Sequence, residues 1–181
     1  MIVLIDQDGP LADFELGFLT EWRQRFPEKV FVPLTERRSF HIRDDYPPEL
    51  QDLVESIYLS RGFYAGLPPV PGSMDAIKQM VAIGHDVRIC TSPLSRNEHC
   101  IAEKVEWIGR HLGPENVDRT IVAKDKTLVR GDFLIDDKPE VSGLLSDAEW
   151  EHIVFDRPYN RSATGKRRLI RWDDWQGVLR Q

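Results

Sequence analysis

The fold is decided by the first nine residues of the chain, which are Met1-Ile2-Val3-Leu4-Ile5-Asp6-Gln7-Asp8-Gly9. The apolar, largely β-branched run predicts a short buried strand, which ends at two carboxylates and a glycine. Side chains two residues apart in a strand share a face, so Asp6 and Asp8 should project together from its carboxyl end, where open α/β sheets bind ligands. Burying two adjacent carboxylates is costly because they repel each other, and a divalent cation would remove that cost.

The length and composition fit one domain, or one domain with a moderate insertion. The chain has 181 residues, of which 41% are apolar. The formal charge of −6 argues against a nucleic acid polymer as partner, since such proteins need a basic face. The charge does not exclude a small phosphorylated substrate, because a few local cations and a metal can override the average charge. The basic cluster Lys166-Arg167-Arg168 is expected to be solvated surface.

The cysteines and the hydropathy pattern bear on the compartment. Cys90 and Cys100 lack the spacing of a zinc site, and Cys90 lies in an apolar run that predicts a buried thiol. The sequence has no apolar segment of about twenty residues and no basic leader, so we expect no membrane association. The simplest expectation is a cytoplasmic protein.

Strand-like and helix-like segments alternate along most of the chain. The strand-like segments are 1–5, 86–91, 120–123, 132–136 and 152–156, and the helix-like segments are 12–26, 48–60, 73–83, 98–111 and 172–179. This alternation predicts an α/β fold with a parallel, Rossmann-like sheet flanked by helices. The segment 14–72 breaks the rhythm, so we expect a small helical cap there, inserted into a core formed by 1–13 and 73–181.

Four of the predicted strands or their following loops end in polar residues. These residues are Asp6 and Asp8, Thr91 and Ser92, Lys126, and Asp136 and Asp137. In a parallel sheet all these ends meet at one edge. Carboxylates bind a hard cation such as Mg²⁺, while hydroxyls and an ammonium group bind phosphate oxygens.

The ordered set resembles the haloacid-dehalogenase-like (HAD-like) phosphohydrolases. Their pattern is a strand ending in D-x-D, a second strand ending in Thr or Ser, a later Lys, and a strand ending in an acidic pair. The resemblance is closest to the 5′(3′)-deoxyribonucleotidase family, and it covers nearly the whole chain. The matching segments are 6–14 (DQDGPLADF), 37–40 (RRSF), 90–93 (CTSP), 125–127 (DKT), 134–139 (LIDDKP), 150–152 (WEH) and 172–175 (WDDW). Pro10 departs from the family pattern, which has Val there.

The resemblance implies roles for the residues at the strand ends. Asp6 would be the nucleophile that forms an aspartyl-phosphate, and Asp8 would be the general acid and base. Mg²⁺ would bind the Asp6 carboxylate, the Asp8 carbonyl and one carboxylate of the acidic pair. Asp137 is the favoured ligand of that pair, with Asp136 in support. The phosphate would be bound by Thr91, Ser92, Lys126 and Lys104.

The resemblance also implies a nucleoside pocket under the cap. Phe14, Phe40, His41 and Ile42 match positions that line the base and sugar. Other residues at matching substrate positions are Tyr58, Tyr64 and Ser95. The expected substrate is a (deoxy)nucleoside monophosphate.

Simpler interpretations compete for several of these residues. Thr91 could be a plain helix cap, Lys104 a solvated helix lysine, and Phe14 a core residue. Two alternative functions stay open: a phosphatase or phosphotransferase for another small phosphate ester, and a nucleotide-binding protein without catalysis. Asp8 argues against the latter, because binding alone needs no acid or base there. The sequence leaves open the base, the 5′ or 3′ position, and whether the protein forms a homodimer.

Overall fold

The centre of the molecule is a sheet of six parallel strands in the order β3-β2-β1-β4-β5-β6. The structure is a computed structural model and describes residues 1–180. The strands are β1 (Ile2–Ile5), β2 (Asp86–Thr91), β3 (Thr120–Val122), β4 (Phe133–Asp136), β5 (Glu151–Phe155) and β6 (Arg168–Leu169). The parallel α/β sheet and its first five strands confirm the prediction. The strand β6 is not among the predicted strands, because two residues are too few to show periodicity.

Six helices accompany the sheet. They are α1 (Phe14–Arg25), α2 (Gln51–Tyr58), α3 (Ser73–Ala82), α4 (Cys100–Leu112), α5 (Pro114–Val117) and α6 (Trp175–Val178). Two predicted helices begin as 3₁₀ turns, at Pro48–Leu50 and at Trp172–Asp174. Among residues 1–180, no helix combines the length and the apolar character needed to cross a membrane.

The strand order creates a crevice beside β1. The chain adds β2 and β3 on one side of β1 and the remaining strands on the other, and such a reversal is where doubly wound sheets bind ligands. The Asp6 amide donates to the Ile135 carbonyl over 2.8 Å and extends the pairing of β1 with β4 by one residue. The first carboxylate therefore lies beside Asp136, the last residue of β4.

The sheet is buried on both faces. Val3 and Ile5 belong to the larger apolar cluster, which also contains Trp22 and Trp107. Leu4 points to the opposite face, where a smaller cluster includes Cys90. The buried free thiol of Cys90 confirms the prediction for that residue.

The segment 14–72 leaves the sheet after β1 and returns before α3. Its entry and exit are joined, because the Asp13 amide donates to the Pro68 carbonyl over 2.7 Å. The segment contributes its own aromatic packing, with Trp22 and Tyr46 ring centroids 4.8 Å apart. The division into a core and a cap stays a prediction.

The prediction of a solvated surface at residues 166–168 is wrong. Arg167 forms an ion pair with Glu151, and Arg168 donates to Asp156 over 2.9 Å. Arg168 and its neighbours are half-buried because they enter β6 at the edge of the sheet. A short edge strand therefore converts this basic cluster into paired structural groups.

Candidate active site

A cavity of about 560 Å³ opens above the carboxyl ends of β1 and β4. Its floor is polar, and its walls come largely from the segment 14–72. The residues lining it include Asp6, Asp8, Phe14, Phe40, His41, Ile42, Tyr58, Tyr64, Ser92, Lys104, Lys126, Asp136 and Asp137. Most residues that the sequence singles out therefore lie around one space.

Three carboxylates meet on the floor. Asp6, Asp136 and Asp137 each offer an oxygen within 4.8 Å of the other two. Burial raises the pKa of Asp6 to about 6, with a contribution from the neighbouring carboxylates. Burial and the charges of Asp136 and Asp6 raise the pKa of Asp137 well above its usual value. The ionised forms of these carboxylates are therefore destabilised by burial and mutual repulsion, and a bound cation would stabilise them.

Lys126 lies between two of these carboxylates. Its Nζ is 2.8 Å from Asp6 Oδ1 and 2.6 Å from Asp136 Oδ2. Burial alone would lower the pKa of Lys126, but the two carboxylates raise it, so the side chain keeps its charge. The lysine is presented by a 3₁₀ turn, Lys126–Leu128, in which the Thr127 amide donates to the side chain of Asp125 over 2.9 Å.

A second lysine contacts Asp8 and the end of β2. Lys104 reaches in from α4, and its Nζ contacts Asp8 Oδ2 at 2.8 Å, Thr91 Oγ1 at 2.9 Å and the Ser92 carbonyl at 2.6 Å. Thr91 is buried beneath it. Asp8 Oδ1 is buried without a hydrogen-bond partner among residues 1–180. One acceptor of Asp8 is therefore free to meet a proton donor.

The two members of the acidic pair differ in their free oxygens. Both Asp136 oxygens are used, Oδ2 by Lys126 and Oδ1 by the Lys138 amide at 2.8 Å. On Asp137, Oδ2 accepts from the Tyr159 hydroxyl, while Oδ1 has no donor in the described chain. Hard carboxylate oxygens on Asp6 and Asp137 fit a divalent cation such as Mg²⁺. Asp136 is better placed to orient Lys126.

The walls of the cavity are aromatic. The ring centroid of Phe14 lies 6.1 Å from that of Tyr58 and 6.3 Å from that of Tyr64. Burial raises the pKa of Tyr58 to about 12, so its hydroxyl stays protonated at neutral pH. Phe40 is 36% exposed and packs edge-on against His41. Aromatic side chains therefore form much of the apolar wall of the cavity.

Ser95 lies apart from the other predicted substrate residues. It is absent from the cavity lining, and its hydroxyl accepts from Lys124 Nζ over 2.9 Å. Lys124 itself lines the cavity, so this pair brings a further cation to the space.

Several cavity residues carried no sequence signal. They are Glu15, Arg43, Glu55, Arg96, Lys124 and Tyr159. Glu55 on α2 accepts from Arg96 over 2.7 and 3.1 Å, which joins the segment 14–72 to the loop after β2. Being next to predicted site residues was the only available clue for Lys124, Arg96 and Glu15.

Glu15 is buried in the cavity wall beside Arg37. Its Oε2 lies 3.0 Å from Arg37 Nε, and Arg37 also pairs with Asp45 at 3.1 Å. Burial raises the pKa of Glu15 to about 7, although the shared guanidinium opposes that shift. Burial and the neighbouring guanidinium therefore act in opposite directions on the pKa of this carboxylate.

The parallel sheet and its strand order define a haloacid-dehalogenase-like fold. A crystal structure of a HAD-family hydrolase from Deinococcus radiodurans, with bound phosphate and sodium, has the same fold. The match has a TM-score of 0.60 at 15% identity and covers 98% of this chain and 94% of that chain.

Within that class, the chain belongs to the family of the 5′ nucleotidase, deoxy (Pyrimidine), cytosolic type C protein, which matches residues 1–181. It is 46% identical to the human cytosolic-type 5′(3′)-deoxyribonucleotidase over 98% of this chain and 92% of the human protein. A Bordetella pertussis relative is 51% identical over 99% of this chain and 95% of its own length. The protein is thus a phosphoric monoester hydrolase of the 5′-nucleotidase type.

Proposed function

We propose that the protein dephosphorylates deoxynucleoside monophosphates in the cytoplasm, with Mg²⁺ as cofactor and an aspartyl-phosphate as intermediate. The observation that carries the proposal is the shared cavity, in which carboxylates and two lysines form the floor and aromatic side chains form the walls. The human relative is named a 5′(3′)-deoxyribonucleotidase, which supports this substrate class.

In this proposal Asp6, Asp137 and the Asp8 carbonyl hold the cation. Asp136 acts differently, because both of its oxygens are already engaged and one of them orients Lys126. A bound Mg²⁺ would supply charge neutralisation at the phosphate and at the transition state.

The first step uses both aspartates of the D-x-D segment. A carboxylate oxygen of Asp6 attacks phosphorus, and the bond between phosphorus and the nucleoside oxygen breaks. Protonated Asp8 gives its proton to that departing oxygen. Lys126 holds a phosphate oxygen together with Thr91 and Ser92.

The second step returns the enzyme to its starting state. Water attacks the phosphorus of the aspartyl-phosphate, and Asp8 takes a proton from that water. The bond between phosphorus and the Asp6 oxygen breaks, which releases inorganic phosphate and leaves Asp6 as a free carboxylate. Lys104 supports both steps, because its contact with Asp8 Oδ2 at 2.8 Å fixes that side chain over the floor.

The segment 14–72 is the proposed cap over the nucleoside. Phe14, Tyr58 and Tyr64 provide ring faces for a base, a contact worth about 1–3 kcal/mol per base in single-stranded nucleic acid complexes. Phe40, His41 and Ile42 complete the wall, and Ser95 contributes at the rim through Lys124. An apolar wall discriminates only weakly against an added ribose hydroxyl.

The first test is the variant Asp6→Asn, assayed for phosphate release from deoxynucleoside monophosphates with Mg²⁺ or EDTA. We expect wild-type turnover to require Mg²⁺ and the variant to lose at least about a thousandfold, since the missing nucleophile has no substitute. The matched control is Asp75→Asn, an exposed carboxylate on α3. Turnover of Asp6→Asn near the wild-type rate would reject Asp6 as the nucleophile.

The second test is the substrate. A panel of deoxynucleoside, ribonucleoside and sugar monophosphates is compared by kcat/KM at saturating Mg²⁺. The proposal expects deoxynucleotides to lead the panel. Much faster turnover of sugar phosphates would overturn the substrate while leaving the chemistry in place.

A further inference from the structure

We infer that Tyr159 is a positioning residue for the metal site, holding the Asp137 carboxylate in the one orientation that presents its free oxygen to the cation. The inference rests on the proposed function, because it presupposes the cation. It assigns a role to a residue that carries no sequence signal.

The hydrogen bond between Tyr159 and Asp137 has a defined direction. A carboxylate oxygen only accepts, so the Tyr159 hydroxyl donates to Asp137 Oδ2. With Oδ2 occupied, Oδ1 is the oxygen that remains for a ligand.

The ring of Tyr159 is fixed from two sides. The Phe40 ring packs edge-on against it at 6.0 Å, with an interplanar angle of 76°. The Arg37 guanidinium lies over its face, 5.3 Å from the centroid. Tyr159 is 6% exposed, so the direction of its hydroxyl is set by packing.

The same turn also fixes the backbone around the site. Asn160 Nδ2 donates to the Asp137 carbonyl over 2.7 Å and to the Phe155 carbonyl over 2.8 Å. Arg157 Nη2 donates to the Gly9 carbonyl over 2.6 Å. Residues 157–160 therefore tie the loop of Asp6 and Asp8 to the other side of the proposed metal site. Partners of this kind typically change metal affinity by roughly 10–100-fold when they are removed.

The test is Tyr159→Phe in the full chain, which keeps the ring and removes only the hydroxyl. Binding of Mn²⁺ is followed by EPR titration of the free ion, and the Mg²⁺ activation constant is measured in the phosphate-release assay. We expect both constants to weaken at least about tenfold, with kcat at saturating Mg²⁺ much less affected. A merely structural tyrosine would not separate these two quantities.

The matched control is Tyr46→Phe. Tyr46 is likewise a buried tyrosine and lies in the segment 14–72, but its hydroxyl accepts from the Val32 amide and contacts none of Asp6, Asp136 and Asp137. The control should show a comparable loss of stability and unchanged metal constants. Arg157→Gln cuts the tie to Gly9 and keeps the Tyr159 hydroxyl, so it measures separately how much the backbone ties of residues 157–160 contribute to the metal constants.

The outcomes separate the two proposals. If the wild type binds neither Mn²⁺ nor Mg²⁺, the proposed metal-dependent function fails. If the wild type binds the ions and Tyr159→Phe binds them equally well, the function stands and the role of Tyr159 is overturned. Equal weakening in Tyr46→Phe would also overturn it, because the effect would then be global.

Discussion

Gly9 shows why a single backbone position controls the floor of the site. Its φ is +94°, and a Cβ built there would lie 2.0 Å from Asp137 Oδ2. Two separate costs follow from any side chain: the strain of the left-handed backbone and a direct collision with a buried carboxylate.

We therefore predict that Gly9→Ala destabilises the protein by more than the backbone strain alone. Strain of this kind costs about 1–3 kcal/mol, and the collision adds at least about 1 kcal/mol. The measurement is the free energy of unfolding in urea. The control is Gly84→Ala, where φ is +90° and nothing lies within 4 Å of the added Cβ. Equal losses in the two variants would show that Asp137 moves aside freely.

Among single residues, the sequence predicts the site residues that lie at strand ends and does not predict those that lie in turns. Asp6, Lys126 and Asp136 are predictable because each follows or ends an apolar run that fixes its place at the sheet edge. Tyr159 contacts Asp137 across 22 positions, from a turn without periodicity. Local pattern contains no information on that pairing, since tertiary packing alone creates it.

Among the elements, α4 connects the catalytic floor to the proposed cap. One turn carries Lys104 into the site, while the neighbouring Glu103 accepts from the amides of Gly62 at 2.6 Å and Tyr64 at 3.1 Å. Trp107 Nε1 donates to the Leu67 carbonyl over 2.7 Å. The helix therefore orders residues 62–67, which present Tyr64 to the cavity.

We predict that Glu103→Gln loosens this turn, because a single amide oxygen is a weaker, uncharged acceptor than the carboxylate. The expected loss is about 1–3 kcal/mol, with faster hydrogen exchange at the amides of Gly62 and Tyr64. Glu106→Gln on the same helix is the control, since Glu106 is exposed and its side chain pairs with Arg110 alone among residues 1–180. Unchanged exchange at residues 62 and 64 would contradict the capping role.

Elements with strong periodicity are predictable to within a few residues, and short ones are not. The helix predicted over 98–111 is found at Cys100–Leu112. The helix predicted from residue 48 starts with the 3₁₀ turn Pro48–Leu50, and the α-helix itself begins at Gln51, since 3₁₀ turns are frequent at helix ends. The strand β6 needs the neighbouring β5 to exist, so the sequence around Arg168 gives no sign of it.

At the scale of the whole molecule, the strand order concentrates negative charge at one edge. The reversal at β1 brings the ends of β1 and β4 together, and with them three buried or largely buried carboxylates. Two buried lysines offset part of that charge. The remaining imbalance makes the stability of the whole fold sensitive to protons and to a cation.

Protonation of Asp6 and binding of Mg²⁺ should both change the stability of the fold. Without metal, Asp6 has a folded pKa of about 6 against an ordinary value of 3.8, so the folded state binds more protons between these values. Stability from this group is therefore present at low pH and is lost as the pH rises through about 6. Mg²⁺ competes with those protons. At 100 times its dissociation constant it adds about 2.7 kcal/mol, or roughly 5–10 °C in Tm for a chain of this size.

Thermal melts at pH 7.5 and pH 5, with Mg²⁺ or EDTA, measure this linkage. We expect the full Mg²⁺ shift at pH 7.5 and a much smaller one at pH 5, where protons occupy Asp6 and Asp137, whose pKa is raised as well. Asp137→Asn should show no Mg²⁺ shift in Tm at either pH value, because a neutral amide is a weaker ligand for the cation than the carboxylate of Asp137. Shifts of equal size at pH 5 and pH 7.5 would mean that the carboxylates are ionised throughout, and the burial argument for their raised pKa values would then be wrong.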